Sequence, residues 1–495
     1  MSLQYYSTRN KQEKVSASRA IINGLAGDGG LYVPESVPKL EISLGSLPGL
    51  TYQETAMEVM RLLLTDFTKE ELSYCISHAY DSKFDAPEIV PVHVTSDASY
   101  LELYHGSTIA FKDMALSILP YLMTTAAKKN HEEKEIVILT ATSGDTGKAA
   151  LAGFADVPGT RIMVFYPKDG VSAIQELQMV TQAGDNTCVI GIRGNFDDAQ
   201  TGVKKLFSDP ELKEELAERG FRFSSANSIN IGRLVPQIVY YVYAYGRLLK
   251  NGALKEGDPM NVVVPTGNFG NILAAWYSKQ MGLPVGKLIC ASNENKVLFD
   301  FFETGIYDRK RPFHVTSSPS MDILISSNLE RLIFESCGKD DEKTAAFMKS
   351  LSENGNYAID DAMKDFLKDF VGGCADEAET SREIRRVFRD EQYVLDPHTA
   401  VASSVYRHYR ERTADDTPAV IASTASPYKF ARSVMSAIDE KYAEGEDFAL
   451  IDALHEVSGM PVPEAVESLK KAPVRHKQVI GKEEMRDAVL RFLER

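Results

Sequence analysis

Between residues 135 and 292 the chain alternates short apolar, largely β-branched runs with longer amphipathic ones, a rhythm that few folds accept. "EIVILT" (135–140) precedes a small-residue loop and the helix-like "GKAALAGFA". "RIMVFYP" (161–167) precedes "VSAIQELQMV", and "TCVIGI" (187–192) precedes "FDDAQTGVKKLFSD". A long helix is expected from Pro236, then the strand "NVVVP" (261–265), a Gly/Asn turn, the helix "NILAAWYSKQMG" and the strand "KLICAS". Strands lacking a polar face must be covered on both sides, and intervening helices supply both the cover and the crossover that parallel neighbours require. The pattern predicts an α/β fold with a doubly wound parallel sheet. "PAVIAST" (418–424) repeats the strand-and-loop pattern, so the sheet is expected to continue there.

The flanks read differently. Residues 1–95 look mainly helical around the turn-rich "GLAGDGGLYVPESVP". Residues 329–395 are charged and helical, with Gly372–Gly373 expected as a break, and the last fifty residues are again helical and charged. This divides the chain into an N-terminal domain (1–95), an α/β region (96–440) and a helical C-terminal segment (441–495), within what 495 residues allow.

Charge narrows the possible ligands. A formal net charge of −15 argues against nucleic acid and anionic membranes as general partners. An anionic small molecule must therefore be met by helix N-termini and a few placed cations. Five scattered cysteines with no C-x-x-C pair predict neither a disulfide framework nor a zinc site, and a reducing compartment suits them. "MSLQYYSTRNKQEK" lacks the apolar core of a signal peptide, and "PQIVYYVYAYGRLLK" is too short and polar to span a membrane. A cytoplasmic protein, monomer or homodimer, with no metal is expected.

Three small-residue loops lie at the C-terminal ends of predicted strands, the edge where open α/β sheets bind ligands. In "PTGNFGNILAA" (265–275), Gly267, Asn268, Phe269, Gly270 and Asn271 can turn successive N–H groups towards a phosphate at a helix N-terminus. Such turns also arise from packing alone. "TATSGDTGKAA" (140–150) falls short of a P-loop, which needs glycine at Thr142 and a hydroxyl at Ala149. What remains, Thr142 to Thr146, suits a carboxylate or serves as a helix cap at Ser143 or Asp145. No dinucleotide fingerprint, G-x-S-x-G elbow or H-E-x-x-H is present. His398 in "LDPHTA" reads as a turn or capping histidine.

In "LYHGSTIAFKDMAL" (103–116), Lys112 follows an apolar wall and precedes Asp113. On composition alone it is a surface lysine beside a surface aspartate. Burial, though, would lower its pKa towards the nucleophilic amine. A buried amine and a phosphate cup are what pyridoxal 5′-phosphate requires, and Ser423 or Thr424 in "ASTASPYKF" could meet its pyridine nitrogen.

"HGSTIAFKDMAL" resembles the lysine motif of threonine synthases, in the tryptophan-synthase-β-like (fold type II) group of pyridoxal-phosphate enzymes. "YYSTRN", "GLAGDGGLYVPE", "SGDTGKAA", "GNFGN", "SSNLERL" (326–332), "LDPHTAVA" (395–402) and "STASPYKF" follow in family order along nearly the whole chain. The resemblance implies a catalytic region of two subdomains behind a threonine-synthase-type N-terminal domain, with a small domain closing over the substrate. It implies that Lys112 carries the cofactor and acts as catalytic base, that Gly267–Asn271 hold the cofactor phosphate, that Thr424 contacts the pyridine nitrogen, and that Asp145 faces the cofactor hydroxyl. Thr142, Ser143, Gly144 and Thr146 would take the substrate carboxylate, and Lys148 and Arg233 its phosphate. The implied reaction is a carbon–oxygen lyase step converting O-phospho-L-homoserine and water to L-threonine and phosphate. Ser107 and Ser426 stand where the family commonly has proline and histidine. Those departures leave room for a phospholyase releasing 2-oxobutyrate, phosphate and ammonia. A non-catalytic binding or regulatory protein on the same fold is a further alternative, disfavoured by the intact Lys112 and Gly/Asn loop.

Overall fold

The computed structural model describes residues 2–142, 144–171 and 173–494. The alternating segment feeds two parallel sheets. Five strands run in the order Val479–Gly481, Thr187–Arg193, Thr160–Pro167, Glu135–Ala141 and Phe221–Ser224, with every pair parallel. A second sheet orders Phe370–Cys374, Val285–Ser292, Met260–Pro265, Ala419–Ser423, Ser99–Glu102 and Val92–Val94, parallel except for its last pair. Met260–Pro265 and Ala419–Ser423 are buried along their whole length and lie side by side, as apolar runs without a polar face require.

The chain passes between the sheets through the helix Ile231–Lys250, which starts five residues before the expected Pro236. The Asn230 side chain caps it by accepting from the Gly232 amide, and Pro236 sits in an early turn, where its missing N–H costs one bond. Its tyrosines 240, 241 and 245 are fully buried, so tertiary packing overrides the local proline signal.

Gly372–Gly373 is not a break. Both residues lie in the edge strand Phe370–Cys374, where a Cβ on Gly373 would sit 2.3 Å from Val405 Cγ1 and one on Gly372 would sit 3.2 Å from the Phe299 backbone. The pair lets helices approach both faces of the strand.

The N-terminal region joins a three-stranded antiparallel sheet (Asn10–Val15, Tyr5–Ser7, Tyr32–Pro34) to helices that include Tyr52–Leu63 and Lys69–Ala79, each opened by a full capping box. The C-terminal segment contributes helices and also the edge strand Val479–Gly481. Among the described residues, no helix is long and apolar enough to cross a membrane.

Candidate active site

Lys112 opens the short helix Lys112–Leu116, and the turn before it is strained. Ile109 takes φ 52°, a left-handed conformation that a β-branched side chain resists. Its neighbours hold it there. The Ile109 amide donates to Gly106 O, Ser426 N donates to Ile109 O, and Phe111 N donates to Thr424 O at 2.8 Å. Gly106 admits no side chain, because a Cβ would lie 2.6 Å from that of Asp113. Asp113 itself is buried and accepts from the Thr108 amide and hydroxyl, so it ties the turn instead of pairing with Lys112.

Lys112 is not a surface lysine. It lines a narrow cleft with Ala110, Phe111, Asp145, Ser320, His398, Thr424 and Ala425. Its Nζ donates to Ser320 Oγ at 2.9 Å and lies 3.5 Å from Asp145 Oδ2. Burial depresses its pKa, Asp145 partly opposes this, and the charges of Lys429 and Arg233 add to the depression. Asp145 receives Gln175 Nε2 (3.1 Å) and Lys429 Nζ (3.2 Å) on Oδ1, and Ser320 Oγ (3.1 Å) on Oδ2. Burial works against its carboxylate, but the charges of Lys429 and then Lys112 outweigh that and hold its pKa far below the usual range.

The glycine loop adjoins Ser320: a Cβ on Gly267 would meet Ser320 O at 2.4 Å. The loop is tied by its carbonyls. Ser326 Oγ donates to Gly267 O at 2.6 Å, and Asn328 donates to Asn268 O through both its amide and its side chain. Its amides are left over: among the described residues, the N–H groups of 267–271 meet no acceptor in the chain. Phe269 takes φ 67°, held by stacking against Phe302 and Phe370. Asn271 is buried; its Oδ1 accepts from Tyr241 and its Nδ2 has no partner.

The other anticipated residues divide. Thr142 is spent at the helix start: its Oγ1 accepts from the Gly144 and Gly147 amides, both at 3.0 Å, and Gly144, not Asp145, holds the N-cap position of the helix Asp145–Phe154. Ser143 lies outside the described residues. Gly144 is buried against Gln175, and Thr146 is half-buried. Lys148 donates to Gln182 at 2.6 Å, and burial lowers its pKa to about 8. Arg233 is buried and donates to Ala226 O, while its Nε has no partner. Ser107 is half-buried, and buried Ser426 caps the turn Pro427–Phe430 through the Tyr428 amide.

Ser320 and His398 line the cleft and Lys429 pairs with its Asp145, yet none of the three is marked as a site residue by its local sequence. The sequence marks neither Ser320 nor Lys429, and reads His398 as a turn or capping histidine. His398 does lie at a helix start, where Asp396 caps it, but its ring enters the cleft. Nε2 accepts from the Ser320 amide at 3.2 Å, which places the ring proton on Nδ1, facing Asp396 Oδ1 at 2.8 Å. The ordered motifs "LDPHTA" and "STASPYKF" were the available signal for two of the three.

Family models cover most of the chain. The model of pyridoxal-phosphate dependent enzymes matches residues 100–425, the threonine synthase N-terminus model residues 4–80, and the threonine synthase C-terminal model residues 399–483. Human threonine synthase-like 1 is 41% identical over 446 residues, 87% of this chain and 59% of that protein. The chain thus spans about three fifths of the length of that relative. Saccharomyces cerevisiae threonine synthase is 36% identical, covering 88% of this chain and 89% of the yeast protein. The crystal structure of pyridoxal-phosphate-bound threonine synthase from Brucella melitensis superposes with a TM-score of 0.88 at 32% identity, over all of both chains.

Proposed function

The chain belongs to the threonine synthase family of pyridoxal-phosphate-dependent enzymes, and on that premise we propose that it converts O-phospho-L-homoserine and water to L-threonine and phosphate. The observation that carries the reading is a surplus of buried cation around one amine. Lys112, Lys148, Arg233 and Lys429 converge on a region whose buried acids include Asp145 and Asp113, and burial raises the pKa of Asp113. Buried cations without carboxylates are costly, so they point to anions brought by ligands.

The donor set fits pyridoxal phosphate. The free amides of 267–271 and the orphaned Asn271 Nδ2 suit a phosphate, and the close approach at Gly267 leaves the backbone bare. Lys112 supplies the amine, Thr424 a neutral hydroxyl for the ring nitrogen and Asp145 a charged partner for the ring hydroxyl. When bound, the cofactor withdraws electron density and spreads the negative charge left when the substrate loses its α-proton.

Lys112 Nζ takes the proton from Cα, then one from Cβ as phosphate leaves Cγ, and protons return to Cγ, which becomes the methyl group, and finally to Cα. Lys148 and Arg233 hold the phosphate while it leaves from Cγ and stabilise its gathering charge. The amides of Asp145 and Thr146, at the N-terminus of the helix Asp145–Phe154, orient the substrate carboxylate. Walls formed by Ala110, Phe111 and Ala425 keep stray water from the reacting carbons, and the water that adds at Cβ completes threonine.

A second reading rests on Ser426, which takes the place of the family's usual histidine and is committed to the turn beside Ile109. If that alters where water is held, the product is 2-oxobutyrate with phosphate and ammonia. Purified protein mixed with the cofactor is expected to gain a visible absorption band, and Lys112→Ala to lose it. With O-phosphohomoserine, threonine is the expected product. Release of 2-oxobutyrate selects the second reading, and no band with wild-type protein overturns both.

A further inference from the structure

Lys429 is a buried cation paired with the cleft's Asp145, its side chain 1% exposed, and nothing in the reaction above employs it. Its placement is fixed from three sides. Ser426 starts its turn, the Ser426 amide is bound to Ile109 O, and Lys429 Nζ donates to Thr108 O at 2.9 Å. The same Nζ lies 3.2 Å from Asp145 Oδ1, while Lys112 approaches the other oxygen at 3.5 Å. One carboxylate therefore stands between two ammonium groups.

A lysine facing a carboxylate alone is held as an ammonium, which is useless as a base and unreactive towards a carbonyl. We propose that Lys429 is a positioning residue for the reactive amine: it engages Asp145 on Oδ1, so that the carboxylate orients Lys112 through Oδ2 without holding it as a cation. The inference rests on the reading of Lys112 as the amine that meets the cofactor, and deepens it. The amine must be free before the cofactor is loaded and again each time a substrate amine displaces it.

The other charges around Lys112 act in the same sense or are tied elsewhere. Arg233, on the Ile231–Lys250 helix, adds positive charge. Asp113, on the lysine's own helix, is satisfied by Thr108. His398, on the helix Pro397–Thr413, donates its Nδ1–H to Asp396, and Lys148, on the helix Asp145–Phe154, bonds Gln182. Lys429 is the cation in ion-pair contact with the carboxylate that Lys112 shares.

The test reads the amine itself in cofactor-free protein. Competitive acetylation with acetic anhydride from about pH 6 to about pH 10, read on the Lys112 peptide by mass spectrometry, gives its titration midpoint. Lys429→Gln is expected to move that midpoint up by about one unit, roughly tenfold less reactive amine on the acid side, while Lys429→Arg leaves it in place. A folded Lys429→Gln protein, checked by circular dichroism, with an unmoved midpoint overturns the proposal and leaves Lys429 as a tie between loops. If that variant does not fold, the wild-type profiles decide. Lys112 losing its proton before Lys429 sustains the proposal, and the reverse order overturns it. Wild-type protein that shows the Lys429 effect but never gains the cofactor band sinks the proposed function while this inference stands.

Discussion

Among the described residues two arginines are buried, and they are buried in opposite ways. Arg331 is fully enclosed, and Arg233 nearly so. Desolvation lowers both to a pKa of about 10, so titration does not tell them apart. Their hydrogen bonds do. Arg331 spends its fork on fixed acceptors: Nε on Tyr32 O (2.9 Å), one terminal nitrogen on Ile229 O (2.6 Å) and the other on Asn328 Oδ1. It ties the N-terminal sheet, the entry to the Ile231–Lys250 helix and, through Asn328, the glycine loop. Arg233 makes one bond to a carbonyl and leaves Nε without a partner. A satisfied buried cation maintains architecture, and an unsatisfied one is kept for something that arrives.

The comparison can be broken by removing each charge. Arg331→Met strands three acceptors in the interior, and stability is expected to fall by about 3–5 kcal/mol in a urea titration. Arg233→Met loses one bond and is relieved of a desolvated charge, so stability should move by less than about 1 kcal/mol. Its effect belongs in kinetics, where KM for the phosphorylated substrate is expected to rise by about 100-fold. Equal losses of stability in the two variants would place Arg233 among the structural residues and remove it from the substrate site.

What the sequence discloses follows the same division. The parallel sheets are legible because Met260–Pro265 and its neighbours have no polar face, and burial on both sides is their only stable solution. The glycine loop is legible because its chemistry is main-chain chemistry, written in Gly267, Gly270 and the asparagines. Ser320, His398 and Lys429 are not, since they reach the cleft or its Asp145 from separate elements and nothing local marks where a side chain is aimed. Gly372–Gly373 misleads for a related reason: a glycine pair signals a turn and a close helix contact alike, and only Val405 on the facing helix distinguishes them. The edge strand Val479–Gly481 is too short to show an alternation at all.

His105 extends the comparison to a cation buried among acids. Its Nδ1 faces Asp85 Oδ1 at 2.6 Å and its Nε2 faces Glu102 Oε2 at 2.9 Å, so both ring nitrogens carry protons in the folded state. Burial alone would lower its pKa, but the two carboxylates prevail and raise it to about 9. A histidine raised on folding binds a proton that the unfolded chain has released. Its contribution is therefore complete below the unfolded value of about 6.5 and is lost as pH climbs through about 9. Allowing for solvent at the half-exposed Asp85, the loss should be about 2 kcal/mol. His105→Gln should abolish that slope: its stability relative to wild type is expected to be worst just below about pH 6.5 and to converge above about pH 9. Parallel wild-type and variant curves across that range would mean that His105 holds the lysine turn as a neutral ring, satisfied like Arg331 by geometry and not by charge.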